Sequence, residues 1–94
     1  SQRASFARIL VAMLRPIAVR IDEIYVPTRL RNTLDAAKAE SIAESIIENG
    51  QETPIQVRQG KGRYVLVTGL HRLEALRMLD AETIDALIVS AQQH

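Results

Sequence analysis

The chain has no cysteine and no tryptophan, and its aromatic residues are only Phe6, Tyr25 and Tyr64. The absence of cysteine excludes disulfides, thiolate metal sites and thiol chemistry, and it fits a reducing compartment. With so few rings, the sequence argues against the base-stacking platforms that bind single-stranded nucleic acid. The formal net charge is only +1, so bulk electrostatics predict no strong nonspecific affinity for DNA.

Long hydrophobic runs are also missing. The longest one near the N-terminus is residues 9–14 (ILVAML), whereas a helix that spans a bilayer needs about 20 residues. No small-residue cleavage site follows this run cleanly, so a signal peptide is not indicated. The sequence therefore predicts a soluble, cytoplasmic protein without a membrane partner, and its length suits one small domain.

Hydrophobic spacing and capping residues predict seven elements in the order α-β-α-β-β-α-β. Helices are predicted over residues 5–15, 36–49 and 70–79, and strands over residues 17–21, 54–58, 63–68 and 83–90. This mixture predicts an α+β fold, with a small mixed β-sheet and packed helices. Residues 1–16 are expected to form an N-terminal helical extension, and residues 17–94 the domain itself.

Local signals set the ends of several elements. Asp35 is a favoured N-cap residue for the second helix, and Gly50 suits the C′ position after it. Residues 59–62 (QGKG) suit a hairpin connection between two strands. Pro27 disfavours regular structure, so residues 22–33 are expected to form an irregular connector.

The first predicted helix carries an apolar stripe that needs a cover. Its members recur at helical spacing: Phe6, Ile9, Leu10, Met13 and Leu14. Either the core of the domain or a second copy of the chain would cover this stripe. A homodimer through the N-terminal helix therefore stays open.

The most informative stretch is TGLHR, residues 68–72. A strand that enters a helix through Gly69 leaves backbone N–H groups unpaired at the positive end of the helix dipole, which is a ready anion site. His71 and Arg72 lean back toward that end and add donors suited to phosphate. Two basic residues in a first turn oppose the dipole unless an anion or an acid compensates, and Glu74 could do so through His71. The alternative is a tight turn with a solvated Arg72.

The helix over residues 36–49 has a predicted apolar face that consists of Ala39, Ile42, Ala43, Ile46 and Ile47. Lys38, Ser41 and Ser45 fall on its opposite flank, within a stripe about 60° wide. One ammonium and two hydroxyls could bind phosphate and sugar oxygens, although such a stripe also suits a solvated face. Arg29 and Arg31 precede this helix in the connector.

These motifs, taken in order, resemble the ParB/sulfiredoxin fold over residues 17–90. Residues 31–35 (RNTLD) resemble the arginine, hydrophobic residue and aspartate of ParB proteins. Residues 45–58 (SIIENGQETPIQVR) are similar to a ParB stretch that ends in PI-x-VR, and residues 66–76 (LVTGLHRLEAL) take the place of its LVAGERRxRAA box. Residues 82–89 resemble the closing strand of the family.

On the sulfiredoxin side, residues 34–46 resemble a segment whose lysine, serine and threonine bind ATP. Lys38 and Ser41 match the first two, and Ser45 takes the place of the threonine. GLHR at residues 69–72 resembles the GCHR of sulfiredoxins, in which the histidine and arginine contact phosphates.

Three departures limit what the resemblance implies. Leu70 stands in the place of the nucleophilic cysteine of sulfiredoxin, so reduction of a sulfinic acid is excluded. His71 and Glu74 replace two arginines of the ParB box. The helix-turn-helix and dimerisation segments of ParB proteins are not found in these 94 residues.

The leading hypothesis is a nucleotide-binding ParB-like domain that serves a DNA partition or transcription-regulatory system. Its nucleotide site is predicted to comprise Arg31, Lys38, Ser41, Ser45, Gly69, His71 and Arg72. Mg²⁺ is expected to accompany a bound triphosphate, either ATP or CTP.

Two other hypotheses stay open. One is a small kinase or NTPase that uses the same helix start at residues 69–72, called the corner below, although no catalytic residue is identified. The other is a DNA-binding or nuclease domain that contacts phosphates through Arg29, Arg31, Lys61 and Arg63. Two histidines, one of them terminal, give no metal-ligand spacing, so no protein metal site is predicted.

Overall fold

The computed structural model describes residues 15–50 and 53–89. The elements in chain order are strand β1 (Ile17–Arg20), a 3-10 turn (Ile21–Glu23), strand β2 (Ile24–Tyr25), helix α1 (Thr28–Arg31), helix α2 (Ala36–Asn49), strand β3 (Ile55–Gln59), strand β4 (Tyr64–Thr68), helix α3 (Leu70–Met78) and strand β5 (Thr83–Ile88). Residues 5–14 of the predicted N-terminal helix, and with them the predicted dimer contact, lie outside the described residues.

The strands form one mixed sheet in the order β1-β5-β3-β4-β2. The pairs β1–β5 and β3–β4 are antiparallel, whereas β3–β5 and β2–β4 are parallel. This arrangement confirms the predicted α+β class with a small mixed sheet. Within the two described stretches, no helix has both the length and the apolar character needed to cross a membrane.

The predicted irregular connector is wrong in part, because residues 22–33 contain β2 and α1. Pro27 lies at the N-cap of α1, where its missing N–H removes no helical hydrogen bond. The N–H groups of Leu30 and Arg31 both donate to the Pro27 carbonyl, at 3.0 Å each. Pro27 therefore starts a helix rather than interrupting one.

The predicted ends of α2 are confirmed. The Asp35 carboxylate accepts from the N–H groups of Ala37 at 3.0 Å and Lys38 at 3.3 Å. At the other end, Gly50 has φ 78° and donates to the Ile46 carbonyl at 2.7 Å. The helix thus has an anionic N-cap and a glycine in the left-handed region after its last turn.

The apolar face of α2 is narrower than the sequence predicts. Ala39 and Ala43 are buried and Ile46 is half-buried, but the side chain of Ile47 is 69 % exposed. Ile47 lies one residue, about 100°, beyond Ile46 around the helix. Because two alanines form the contact strip, only a narrow band of the helix surface is covered.

The core lies between the sheet and α3. Its most buried large side chains come from three strands and that helix: Ile55, Val57, Leu66, Leu73 and Ile84, each at most 2 % exposed. Full burial of a side chain of this size stabilises a fold by about 1.5–3 kcal/mol. The core therefore fixes the start of α3 against β3 and β4.

Candidate functional site

The start of α3 is set by a glycine that packs directly on β3. Gly69 is the N-cap residue with φ 108°, a conformation that L side chains rarely adopt. A Cβ atom at this position would lie 2.6 Å from Ile55 Cγ2 and 2.9 Å from Ile55 Cβ. Both the backbone conformation and the close approach to β3 therefore require glycine.

This helix start lacks a side-chain cap among the residues that the structure describes. None of their side chains accepts from its first N–H groups, and its first turn contains no acidic residue. The first hydrogen bond inside the helix runs from the Leu73 N–H to the Gly69 carbonyl at 2.9 Å. The N–H groups of Leu70, His71 and Arg72 thus lie at the positive end of the dipole and are available to an anion.

His71 connects this helix start to α2. The backbone N–H of Asp35 donates to His71 Nε2 at 3.0 Å. Since Nε2 is the acceptor, the proton of the neutral ring is on Nδ1, which is therefore a donor. The predicted pairing of Glu74 with His71 is not formed, because Glu74 Oε2 lies 3.4 Å from Arg77 Nε instead.

The predicted Lys38 stripe begins beside this contact. Lys38, Ser41 and Ser45 are all exposed, and none of their side chains bonds to another described residue. Lys38 lies in the first turn of α2, next to the Asp35 cap. Ser45 lies about 10 Å further along the helix axis, at 1.5 Å per residue. The first residue of the stripe is therefore next to the contact with His71, and the last lies about two helical turns away from it.

Arg31 lies on a different flank of α3. Its Nη2 donates to the Val26 carbonyl at 3.3 Å. It lines a cleft of about 290 Å³ whose walls are Val26, Arg31, Leu34, Leu70, Glu74 and Arg77. Because Leu70 belongs to both this cleft and the first turn of α3, the cleft opens beside the uncapped helix start.

Of the cations predicted to contact DNA, Arg29 lies in α1, whereas Lys61 and Arg63 lie in the connection that precedes β4. All three are exposed. The short strand β2 pairs with the first two residues of β4, which places Tyr25 opposite Val65. The guanidinium of Arg63 lies 4.1 Å from the ring centroid of Tyr25. Arg63 is therefore already engaged by an aromatic ring.

Sequence reasoning missed two features of this site. The Asp35–His71 bond joins a backbone amide to a ring 36 positions away, and no local pattern encodes such a pair. The cleft beside Leu70 depends on how the loop after β2 folds over α3. The sequence did indicate where this loop ends, because Asp35, the last residue of RNTLD (residues 31–35), was predicted as the N-cap of α2.

The described residues hold no group of three or more His, Cys, Asp or Glu side chains able to bind a metal ion. Mg²⁺ commonly binds through substrate phosphates and water, with one or two carboxylates at most. The donor set at the α3 corner, three backbone N–H groups and a guanidinium, suits an anion and not a bare cation. A metal at this corner would therefore be held by the anion.

The domain is thus an α+β fold in which the uncapped start of α3 lies beside a cleft with apolar and charged walls. Residues 11–94 match the ParB N-terminal domain family, and the chain belongs to that family. It is 34 % identical over 80 residues to a probable chromosome-partitioning protein ParB of Helicobacter pylori, covering 84 % of this chain and 28 % of that protein. It is 38 % identical over 65 residues to a nucleoid occlusion protein of Halalkalibacterium halodurans, covering 67 % and 23 %. The chain thus spans about a quarter of these relatives.

Solved structures support the same fold. Sulfiredoxin from Arabidopsis thaliana superposes with a TM-score of 0.72 at 28 % identity, covering 81 % of this chain and 85 % of that one. A truncated ParB from Caulobacter crescentus, complexed with CTP-γ-S, gives 0.70 at 24 % identity, covering 83 % and 46 %. A free serine kinase in complex with AMP gives 0.68 at 21 % identity, covering 81 % and 31 %. The resemblance to the ParB/sulfiredoxin fold is therefore confirmed.

Proposed function

We propose that this domain binds a nucleoside triphosphate with Mg²⁺ and serves as the nucleotide-responsive module of a chromosome-partitioning or nucleoid occlusion protein. The observation that carries the proposal is the uncapped start of α3. There Gly69 leaves three N–H groups open, and Arg72 adds a cation in the same turn. The curated relatives, both named for chromosome partitioning or nucleoid occlusion, supply the biological setting.

The terminal phosphates would bind at the α3 corner. The N–H groups of Leu70, His71 and Arg72 would donate to one phosphate, and the Arg72 guanidinium would donate to a second. The ammonium of Lys38, in the first turn of α2, would offset negative charge on the phosphates from the side of α2. Ser41 and Ser45 lie progressively further along α2, so they would contact oxygens only if the ligand follows that helix.

The ribose and base would occupy the cleft beside Leu70. Val26, Leu34 and Leu70 give this cleft apolar walls, and Arg31 supplies donors at its edge. The complex of Caulobacter ParB with CTP-γ-S favours CTP as the ligand, and the serine kinase with AMP makes ATP the comparison. Mg²⁺ would be coordinated by the phosphates and water, since the described residues offer no cluster of ligands for it.

Calorimetric titration tests the proposal. Wild-type protein is titrated with CTP, ATP and GTP in the presence of Mg²⁺, and then Arg72→Ala is compared with Lys61→Ala. Both variants lose one positive charge, but Lys61 is exposed and precedes β4, whereas Gly69 follows that strand. A charge-assisted hydrogen bond contributes about 1.5–3 kcal/mol, so Arg72→Ala should weaken binding by about 10- to 150-fold. Lys61→Ala should change the affinity by a much smaller factor.

The proposal fails if no triphosphate binds, or if Arg72→Ala and Lys61→Ala weaken binding equally. Release of inorganic phosphate in the same samples separates a binding module from the NTPase alternative. The kinase alternative requires, in addition, a labelled acceptor such as free serine. Described carboxylates near the corner are already engaged, Asp35 by α2 and Glu74 by Arg77, so binding without turnover is expected.

A further inference from the structure

We propose that His71 is a positioning residue that completes the N-terminal cap of α2 from α3. Its Nε2 accepts from the N-cap amide of α2, and only its Nδ1–H is left to face a ligand. The cap itself is independent of the proposed nucleotide function. The role of Nδ1–H toward phosphate rests on that function.

The cap of α2 is incomplete within its own helix. The Asp35 carboxylate accepts from Ala37 and Lys38, but the N–H of Asp35 itself also needs an acceptor. In a capping box this acceptor is a Glu or Gln side chain at the third helical position. Here that position is Lys38, an ammonium with no lone pair. His71 Nε2, at 3.0 Å from the Asp35 nitrogen, fills the role from the neighbouring helix.

The hydrogen bond between Asp35 and His71 matters because the rest of the contact between α2 and α3 involves small side chains on α2. α2 and α3 lie against each other, and the buried residues of α2 are Ala39 and Ala43. Alanine side chains interdigitate little, so they restrain sliding of one helix along the other only weakly. A directional hydrogen bond at the two helix starts fixes their axial register. It thereby fixes Lys38 relative to the N–H groups of α3.

This geometry requires a neutral ring with the proton on Nδ1, because an imidazolium has no lone pair at Nε2. The charged residues at these two helix starts are Asp35 and Lys38 at α2 and Arg72 and Glu74 at α3. The Asp35 carboxylate accepts from two α2 amides, and Glu74 pairs with Arg77. Among the described residues, the ring's hydrogen bond is the one from the Asp35 N–H, and it makes none to either carboxylate.

The first test needs no substitution at position 71. Long-range ¹H–¹⁵N spectra of the ligand-free protein distinguish the Nδ1–H tautomer from the Nε2–H tautomer. The chain has two histidines, so removing His94 assigns the remaining signal to His71. The Nδ1–H tautomer is expected, and the Nε2–H tautomer would overturn the proposal.

Two matched variants provide the second test. In His71→Gln the side-chain oxygen can reach the position of Nε2, whereas in His71→Asn the amide reaches only the position of Nδ1. Hydrogen exchange of the Asp35 amide should stay near the wild-type rate in His71→Gln. It should accelerate by about three- to tenfold in His71→Asn, the range expected for one lost hydrogen bond. Equal exchange rates in the two variants would overturn the proposal even if both fold.

Nucleotide binding separates the two parts of the inference. With the cap intact but Nδ1–H lost, His71→Gln should bind CTP and Mg²⁺ more weakly than wild type. If wild type binds no nucleotide, the proposed function fails while the tautomer and exchange results still decide the cap. If His71→Gln binds as well as wild type, the role of Nδ1–H toward phosphate is refuted.

Discussion

Replacing Gly69 by alanine tests whether the corner is built on close backbone packing. Two separate penalties apply at this position. A left-handed backbone costs an L residue about 1–2 kcal/mol, and φ here is 108°, beyond the usual left-handed well. The added Cβ would also lie 2.6 Å from Ile55 Cγ2 and 3.2 Å from Ile55 Cα. Overpacking of this kind costs about 1–3 kcal/mol, because Ile55 lies in the core and cannot move freely.

The sum predicts that Gly69→Ala lowers the free energy of unfolding by about 2–5 kcal/mol. Two other glycines separate the penalties. Gly62 has φ 70° with open space around its position, so Gly62→Ala carries only the backbone term. Gly60 has no positive φ, but its Cβ would meet Val65 Cγ2 at 2.9 Å and the Arg63 carbonyl at 3.0 Å, so Gly60→Ala carries only the contact term.

Urea unfolding followed by far-ultraviolet circular dichroism measures all three variants against wild type. The loss in Gly69→Ala should approach the sum of the losses in Gly62→Ala and Gly60→Ala. A loss in Gly69→Ala no larger than in Gly62→Ala would refute the reasoning, since it would mean that β3 and α3 separate at no cost. The start of α3 would then not be fixed by Ile55.

Three smaller predictions follow from other contacts. Asp35→Ala should lower the free energy of unfolding by about 0.5–2 kcal/mol through loss of the α2 cap, whereas Asp35→Asn should lose much less, as urea unfolding would show. Tyr25→Leu should lose about 0.5–1 kcal/mol with the Arg63 stacking, and Tyr25→Phe should not, by the same assay. The hydrogen bond from Arg20 holds the pKa of Asp22 below its ordinary value of 3.8, so this pair stabilises the fold above that pH and loses its effect as the pH falls through the lower folded-state value. Unfolding curves of wild type and Asp22→Asn, measured from neutral to acid pH, should therefore converge in acid.

The two predicted caps of α2 are confirmed. The caps at Asp35 and Gly50 depend on one residue and its own helix, and both are present. The turn at Gly69 was predicted for its backbone freedom, and the structure adds the contact with Ile55. The connector was predicted poorly because β2 is only two residues long and is stabilised by pairing with β4. Such a strand has too few residues to show an alternating pattern.

The candidate site was less accessible from the sequence, because its geometry comes from long-range packing. Glu74 lies three residues from both His71 and Arg77, and helical spacing cannot decide which one it pairs with. The structure pairs it with Arg77. Arg29 and Arg63 were both predicted to contact DNA phosphates. The stacking of Arg63 on Tyr25 follows only from the pairing of β2 with the start of β4.

The packing of Gly69 also explains why this helix start is open. The domain brings two helix starts together, and each offers N–H groups at a positive end. At α2 the Asp35 carboxylate occupies that position. At α3 the N-cap residue cannot supply such a side chain. The favoured N-cap residues serine, threonine, asparagine and aspartate all have a Cβ, and Ile55 leaves no room for a Cβ at position 69. The same contact that locks α3 onto the sheet therefore excludes every capping side chain at position 69. An anion that satisfies these N–H groups has to come from elsewhere, and Arg72 in the same turn favours a ligand with more than one negative charge.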